Sequence, residues 1–341
     1  MKKIGFIAIM VIAVMSMIGC VDETGQPASD STGENAEAKG YLQETDNYKI
    51  SFTTGGETGV LYPLGAIMSD FWSGELPNVE ATSSASNGST QNLTFLSQGE
   101  AEVGLTMGNV LMEAYHGEGD FEGEPYEDVR VLAGLHQNYD YIVAREGSGV
   151  ESVKDLEGRD FVPGATGSGT EKVSRLILDA YGLSIDDVNA SFVGFGEATE
   201  LMRNKQIDAA IISSGIPASA VTEALSTADG KLLDIDEEQR DKLVEENSFY
   251  IKSEIPAGTY DGQEEAVKTT SLQNILVTDA SMPDDVAYDL VKSFWENQEQ
   301  MEGSHGVFDE FDVENVMLGT GEVPFHPGAK KYYEEQGVLE E

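Results

Sequence analysis

The sequence has one cysteine, Cys20, so no disulfide can form within the chain and the fold depends on its hydrophobic core. Basic residues are also scarce, with 20 lysines and arginines against 62 aspartates and glutamates and a net charge of −42. Because binding to phosphate backbones requires a basic surface, this imbalance excludes nucleic acid as a partner. We expect the acidic surface to suit a salt-rich environment, since salt screens its self-repulsion.

The sequence also lacks recognisable catalytic groups. Its four histidines are scattered without metal-ligand spacing, so no metal site is predicted. Residues 164–169 have the outline of a phosphate-binding loop, but Thr170 and Glu171 follow where that loop requires lysine. With no nucleophile motif or cofactor lysine, the sequence predicts neither enzyme activity nor a cofactor.

The N-terminus is typical of an export signal. Lys2 and Lys3 precede an apolar run over residues 4–18, which at about 15 residues is shorter than the roughly 20 needed to span a membrane. We therefore predict a signal peptide over residues 1–19 and lipidation at Cys20, followed by a flexible tether over residues 20–44 that is polar and poor in aromatic residues. The protein would then be exported and held by its lipid anchor at the outer face of the cytoplasmic membrane.

From residue 49 onward, short β-rich runs alternate with amphipathic helical stretches, a pattern that predicts an α/β fold with largely parallel sheets. The predicted strands cover residues 49–53, 79–82, 103–106, 129–133, 141–145, 160–163, 191–193, 209–213 and 273–278.

Two glycine-rich loops, residues 53–63 and 164–170, each run from a predicted strand into a predicted helix. The first turn of a helix exposes unpaired N–H groups and carries a partial positive charge, so such loops favour anion binding. Because these loops lie about 110 residues apart, we predict one loop in each of two lobes with the ligand between them.

The predicted lobes require two connections. Residues 136–145 are expected to cross from the first lobe to the second, and residues 271–278 to cross back. The predicted boundaries place the first part of lobe 1 at residues 45–138, lobe 2 at 139–270, and the return crossover with the completion of lobe 1 at 271–341.

Two further polar clusters follow predicted strands. Residues 83–92 are rich in serine and asparagine, and residues 213–217 begin with Ser213 and Ser214. Either cluster presents hydrogen-bond donors to the same cleft or forms an ordinary capped turn, and the sequence leaves both interpretations open.

Eight motifs in this order resemble the TAXI group of solute-binding proteins, which serve TRAP transporters, over nearly the whole chain from Ile50. They occupy residues 54–65, 86–92, 99–104, 155–158, 164–170, 207–209, 255–260 and 326–329.

The resemblance implies a two-lobed class II periplasmic-binding-protein-like fold without catalytic activity, which captures an amino acid such as glutamate or glutamine, or a small carboxylate, for a TRAP membrane subunit. Met107 and Asn109 stand where the family often has glutamine and aspartate. The predicted ligand-binding residues are Thr54, Gly55, Thr58, Gly59, Tyr62, Ser86, Asn87, Ser89, Met107, Asn109, Thr166, Gly167, Ser168, Gly169, Thr170, Gly215 and Pro217.

Two alternative functions would also place a ligand in this cleft. A lipid-anchored ligand sensor would report to a membrane kinase in place of a permease, and an exported enzyme would convert the bound molecule. Binding without turnover would exclude the enzyme, and a neighbouring TRAP permease gene would favour transport over sensing.

Overall fold

A computed structural model describes residues 48–340, apart from the side chain of Glu302. The predicted signal peptide, Cys20 and the tether lie outside the described residues. Within them, no helix combines the length and apolar character needed to cross a membrane.

Strands and helices alternate along most of the described chain. The strands are β1 Tyr48–Thr53, β2 Val79–Ser84, β3 Val103–Met107, β4 Val129–Arg145, β5 Asp160–Val162, β6 Asn189–Ala190, β7 Ala209–Ser214, β8 Gly230–Leu233, β9 Ile251–Ile255 and β10 Val267–Asp279. The helices are α1 Leu61–Glu75, α2 Ser89–Ser97, α3 Gly108–His116, α4 Gly169–Ala180, α5 Phe195–Arg203, α6 Ser219–Thr227, α7 Glu237–Glu246, α8 Asp284–Glu296, α9 Gln298–Glu302 and α10 Pro327–Glu335.

The strands form one sheet in the order β2-β1-β3-β10-β4-β7-β5-β6, with β8 on β4 and β9 on β10. Parallel strands β1, β2 and β3 form one half, and parallel strands β5, β6 and β7 belong to the other. Antiparallel β4 and β10 run through the centre and connect the halves. These two strands contain the predicted crossings at residues 136–145 and 271–278.

Each half has a hydrophobic core on both faces of the sheet. In the second half, Phe161 packs in one cluster and the next residue, Val162, in another, as alternation along a strand requires. In the first half, the neighbouring residues Val131 and Leu132 likewise pack in two different clusters. Helices therefore cover both faces of both halves.

The middle of each crossing strand is polar and buried. His136, Asn138 and Asp140 alternate along β4, and Thr270 and Asn274 lie on β10. All five are at most 2% exposed. The two lobes thus have apolar interiors, while the connection between them is built from hydrogen-bonding side chains.

Three strand predictions differ from the structure. Residues 129–133 and 141–145 belong to one continuous strand, because residues between them pair with β10, and Tyr139 and Asp140 pair with β7. The strand predicted at residues 191–193 is wrong, since β6 ends at Ala190 and the chain then leads to the cap of α5. The sequence prediction also missed β8 and β9, whose side chains are mostly half-buried or exposed.

We predict that Gly328→Ala destabilises the first half. A Cβ at this position in α10 would overlap the carbonyl oxygen of Asp284 and lie 2.8 Å from the main-chain nitrogen of Tyr288 in α8. Such overpacking costs about 1 to 3 kcal/mol in free energy of unfolding. Gly74→Ala in α1 is the matched control, because nothing lies within 4 Å of its added Cβ; urea unfolding should show no loss there, and equal losses would contradict the packing argument.

Candidate functional site

Five helices begin at one pocket. The residues that cap α1, α2, α3, α4 and α5 all line it, namely Val60, Gly88, Met107, Ser168 and Gly194. Three of these helices follow strands of the first half, and two follow strands of the second. Each helix start carries roughly half a positive charge, so their convergence creates a positive potential without a charged side chain.

The pocket is a cavity of about 140 Å³. None of its lining residues carries a charge. They are Gly55, Gly56, Gly59, Val60, Leu61, Ser86, Asn87, Gly88, Ser89, Met107, Asn138, Ala165, Ser168, Gly169, Thr170, Gly194, Phe195, Ser213 and Ser214.

The structure brings together many of the predicted ligand-binding residues from both glycine-rich loops. Those that line the pocket are Gly55, Gly59, Ser86, Asn87, Ser89, Met107, Ser168, Gly169 and Thr170. The first six belong to the first half of the sheet, and the last three begin α4 in the second half.

The other predicted residues lie outside this lining: Thr54, Thr58, Tyr62, Asn109, Thr166, Gly167, Gly215 and Pro217. Several of these residues make hydrogen bonds to other residues of the protein. The Thr54 hydroxyl donates to the carbonyl of Ser84, Gly167 N–H donates to Glu171, and the Gly215 carbonyl accepts from Tyr141.

Ten lining residues were absent from the predicted set: Gly56, Val60, Leu61, Gly88, Asn138, Ala165, Gly194, Phe195, Ser213 and Ser214. Ser213 and Ser214 begin the polar cluster at residues 213–217, and Gly88 lies within the polar cluster at residues 83–92, so the sequence had indicated both segments. Asn138 lies in the middle of a strand and Gly194 caps α5 without a side chain, and neither stood out in the sequence.

The two halves approach closely around the pocket. Gly88 has a φ of 107°, and a Cβ there would lie 3.6 Å from the Ser168 Cβ. A Cβ on Gly169 would overlap the Met107 sulfur and lie 2.9 Å from the Ser89 hydroxyl oxygen. Glycine is therefore needed at Gly169 for α4 to begin against the first half.

The serine hydroxyls of the pocket help to fix its loops. Ser168 Oγ accepts the Glu171 N–H at 3.1 Å, and Ser89 Oγ accepts the Met107 N–H at 3.0 Å. Because each oxygen is used as an acceptor, its own proton is left to donate into the pocket. Glu171 is turned away from the pocket, where it accepts from the Gly167 N–H and from Arg175.

A buried carboxyl group, Asp140, lies behind the lining residue Ser213. Its two oxygens accept from Ser213 Oγ at 2.6 Å and Thr270 Oγ1 at 2.8 Å. Burial raises the pKa of Asp140 to about 7, although both hydrogen bonds act in the opposite direction. Asp140 itself does not line the pocket.

This titration predicts a pH dependence of folding. The pKa of Asp140 is higher in the folded chain than the unfolded value of about 3.9, so the folded state binds more protons and its free energy of unfolding falls as pH rises from about 4 to 7. Asp140→Asn removes this loss. Between pH 5 and pH 8, urea unfolding should show the variant losing less stability than the unmodified protein, by on the order of 3 kcal/mol; parallel curves would contradict the assignment.

No group of three or more metal-ligating side chains occurs within residues 48–340. The polar part of the site consists of main-chain N–H groups, hydroxyls and amides, which can hold an anion by hydrogen bonding, and the apolar part consists of Val60, Leu61, Met107 and Phe195.

Comparison with known proteins gives a family and a fold. The sequence profile of the NMT1-like family matches residues 52–337. A structure from Bordetella bronchiseptica RB50 is 17% identical, with a TM-score of 0.52 over 84% of this chain and 82% of that one. The alkanesulfonate-binding protein SsuA from Xanthomonas axonopodis pv. citri, bound to MOPS, is 13% identical, with a TM-score of 0.48 over 85% of this chain and 84% of that one.

A protein described as a putative L-cystine ABC transporter from Listeria monocytogenes is 12% identical, with a TM-score of 0.47 over 77% of this chain and 98% of that one. The predicted fold class, an α/β fold of the two-lobed periplasmic-binding-protein type, is confirmed.

Proposed function

Since this chain belongs to the NMT1-like family, we propose that it is a solute-binding protein that captures a small anion between its lobes and delivers it to a membrane permease. The observation that carries the proposal is the convergence of five helix N-termini from both halves on one small, uncharged pocket. Dipoles and N–H groups at fixed positions stabilise an anion without requiring a basic side chain.

Solute binding would stabilise an arrangement in which the two halves are closed around the pocket. An anion that accepts hydrogen bonds from both halves has a higher affinity for the closed state than for an open one, so binding shifts the population toward closure. Within this proposal, the finer assignment is an amino acid such as glutamate or glutamine, or a small carboxylate.

The partner in this proposal is a TRAP permease of the TAXI type, driven by an ion gradient. The support is the resemblance of the eight motifs named above, which include both glycine-rich loops, at residues 54–65 and 164–170. Export and lipidation at Cys20 complete the proposal, since they would hold the protein beside the permease. Solute uptake that stops when the ion gradient is dissipated, and continues when ATP is depleted, would support a permease driven by an ion gradient over a transporter driven by ATP.

Calorimetric titration tests the binding function. The purified chain is titrated in molar salt, which screens its charge of −42, with L-glutamate, L-glutamine, glutarate, an aliphatic sulfonate and the cation putrescine. We expect saturable one-to-one binding of at least one anion, no binding of putrescine and no product on prolonged incubation. Preference for the cation or conversion of a bound compound would contradict the proposal.

A further inference from the structure

The floor of the pocket contains Asn138, in the middle of crossing strand β4. This side chain is 2% exposed, and its Oδ1 accepts a hydrogen bond of 2.5 Å from Asn274 Nδ2 on β10. Because the oxygen faces Asn274, the other end of the amide, Nδ2, is available to a molecule in the pocket.

Asn274 makes a second contact beside this hydrogen bond. Asn274 Nδ2 also lies 3.1 Å from His136 Nε2, and both side chains are at most 1% exposed. With the Asn274 amide in this orientation, both Asn138 Oδ1 and His136 Nε2 accept, while Asn274 Oδ1 and His136 Nδ1 are buried without a hydrogen-bond partner. Burial lowers the pKa of His136 to about 3, with an additional contribution from His305, so the ring is neutral and can accept.

Three carbonyl oxygens at or beside the pocket already accept a hydrogen bond within the protein. The carbonyl oxygen of Thr54 accepts from Asn92, that of Gly55 from the Ser86 N–H, and that of Gly56 from the Gly59 N–H. Two buried carboxyl groups lie outside the lining: Asp140 accepts from two hydroxyls, and Glu171 accepts from Gly167 N–H and Arg175. A positively charged group would therefore find no carboxylate among the lining residues to offset the cost of its burial.

We propose that the pocket selects small carboxylates that lack an ammonium group, and that Asn138, oriented by Asn274 and His136, donates to such a ligand at the floor. The inference rests on the proposed binding function and decides between the two ligand classes left open there. An α-amino acid would bring its ammonium group into a site of five helix N-termini, where the dipoles repel a positive charge.

Matched ligand pairs test this selection on the unmodified protein. L-Glutamate is compared with glutarate, and L-glutamine with glutaramate, because each pair differs only by the ammonium group. Calorimetry should give at least tenfold tighter binding for the partner without the ammonium group in at least one pair. Equal or tighter binding of the amino acids would overturn the selection while leaving the binding function intact. Absence of binding by every anion in the panel would overturn the binding function itself.

A negative charge at position 138 should shift the ligand preference from glutarate toward L-glutamate. Asn138→Asp introduces the carboxylate that the pocket lacks, so glutarate should lose at least tenfold in affinity and the ratio should move toward L-glutamate. Asn204→Asp is the matched control, since Asn204 is exposed and lies outside the pocket lining. An unchanged ratio in Asn138→Asp, or an equal shift in both variants, would overturn the role of Asn138. Circular dichroism confirms that each variant is folded, and the ligand pairs on the unmodified protein give the test if Asn138→Asp does not fold.

Discussion

Ser168→Asp is expected to reduce the affinity for an anionic solute by at least a hundredfold. Aspartate is as good a helix cap as serine, so α4 should still begin at this residue. Its carboxylate would lie in the pocket beside the bound anion. Two like charges about 4 Å apart repel by about 4 kcal/mol at an effective dielectric constant of 20, which corresponds to about a thousandfold in affinity.

Ser168→Asn is the matched control for that experiment. Asparagine has the size and capping ability of aspartate but no charge, so its affinity for glutarate should stay within about tenfold of the unmodified protein. Titration calorimetry on both variants measures the difference. If the two variants bind glutarate equally well, the start of α4 does not contact the anion.

Lys172→Met should weaken solute binding by about tenfold, mainly through faster dissociation. Lys172 on α4 lies 3.0 Å from Asp120 and 3.4 Å from Glu113, and both carboxylates belong to the first half. Since Lys172 is 15% exposed, this ion pair is less screened than a surface pair and favours the closed arrangement. Its removal should cost about 1 to 2 kcal/mol of the binding free energy, within the range for partly buried pairs.

Lys49→Met provides the comparison for this contact between the halves. Lys49 pairs with Glu80 at 3.7 Å within the first half, and both side chains are largely exposed. Stopped-flow dissociation of glutarate should therefore be unchanged in Lys49→Met and faster in Lys172→Met. Equal dissociation rates in the two variants would mean that Lys172 does not hold the halves together around the solute.

The sequence predicted those features that have a local chemical signal. Glycine-rich segments at strand ends indicated where helix N-termini meet, and Ser89, Ser168 and Gly169 indeed lie in one pocket. Residues 136–145 and 271–278, which were predicted to cross between the lobes, lie within β4 and β10, and the predicted lobe boundaries stay a prediction. These features could be predicted because each depends on residues close together in the chain.

Features that depend on distant partners were missed. Asn138 lies in a polar stretch that resembled a break between strands, and only its pairing with β10 makes it the pocket floor. Phe195 reaches the pocket because α5 begins there, after a glycine cap without a side-chain signal. Tyr62 and Pro217 belong to predicted segments but lie outside the pocket lining, since a motif identifies a loop without giving the direction of each side chain.

A crystal structure with glutarate, or with whichever carboxylate of the panel binds most tightly, tests the central claim most directly. We predict one anionic group within about 3.1 Å of main-chain nitrogens at helix starts in both halves, including the start of α4 at Gly169. A carboxylate held by one half alone, or by lysine and arginine side chains on the surface, would contradict the account.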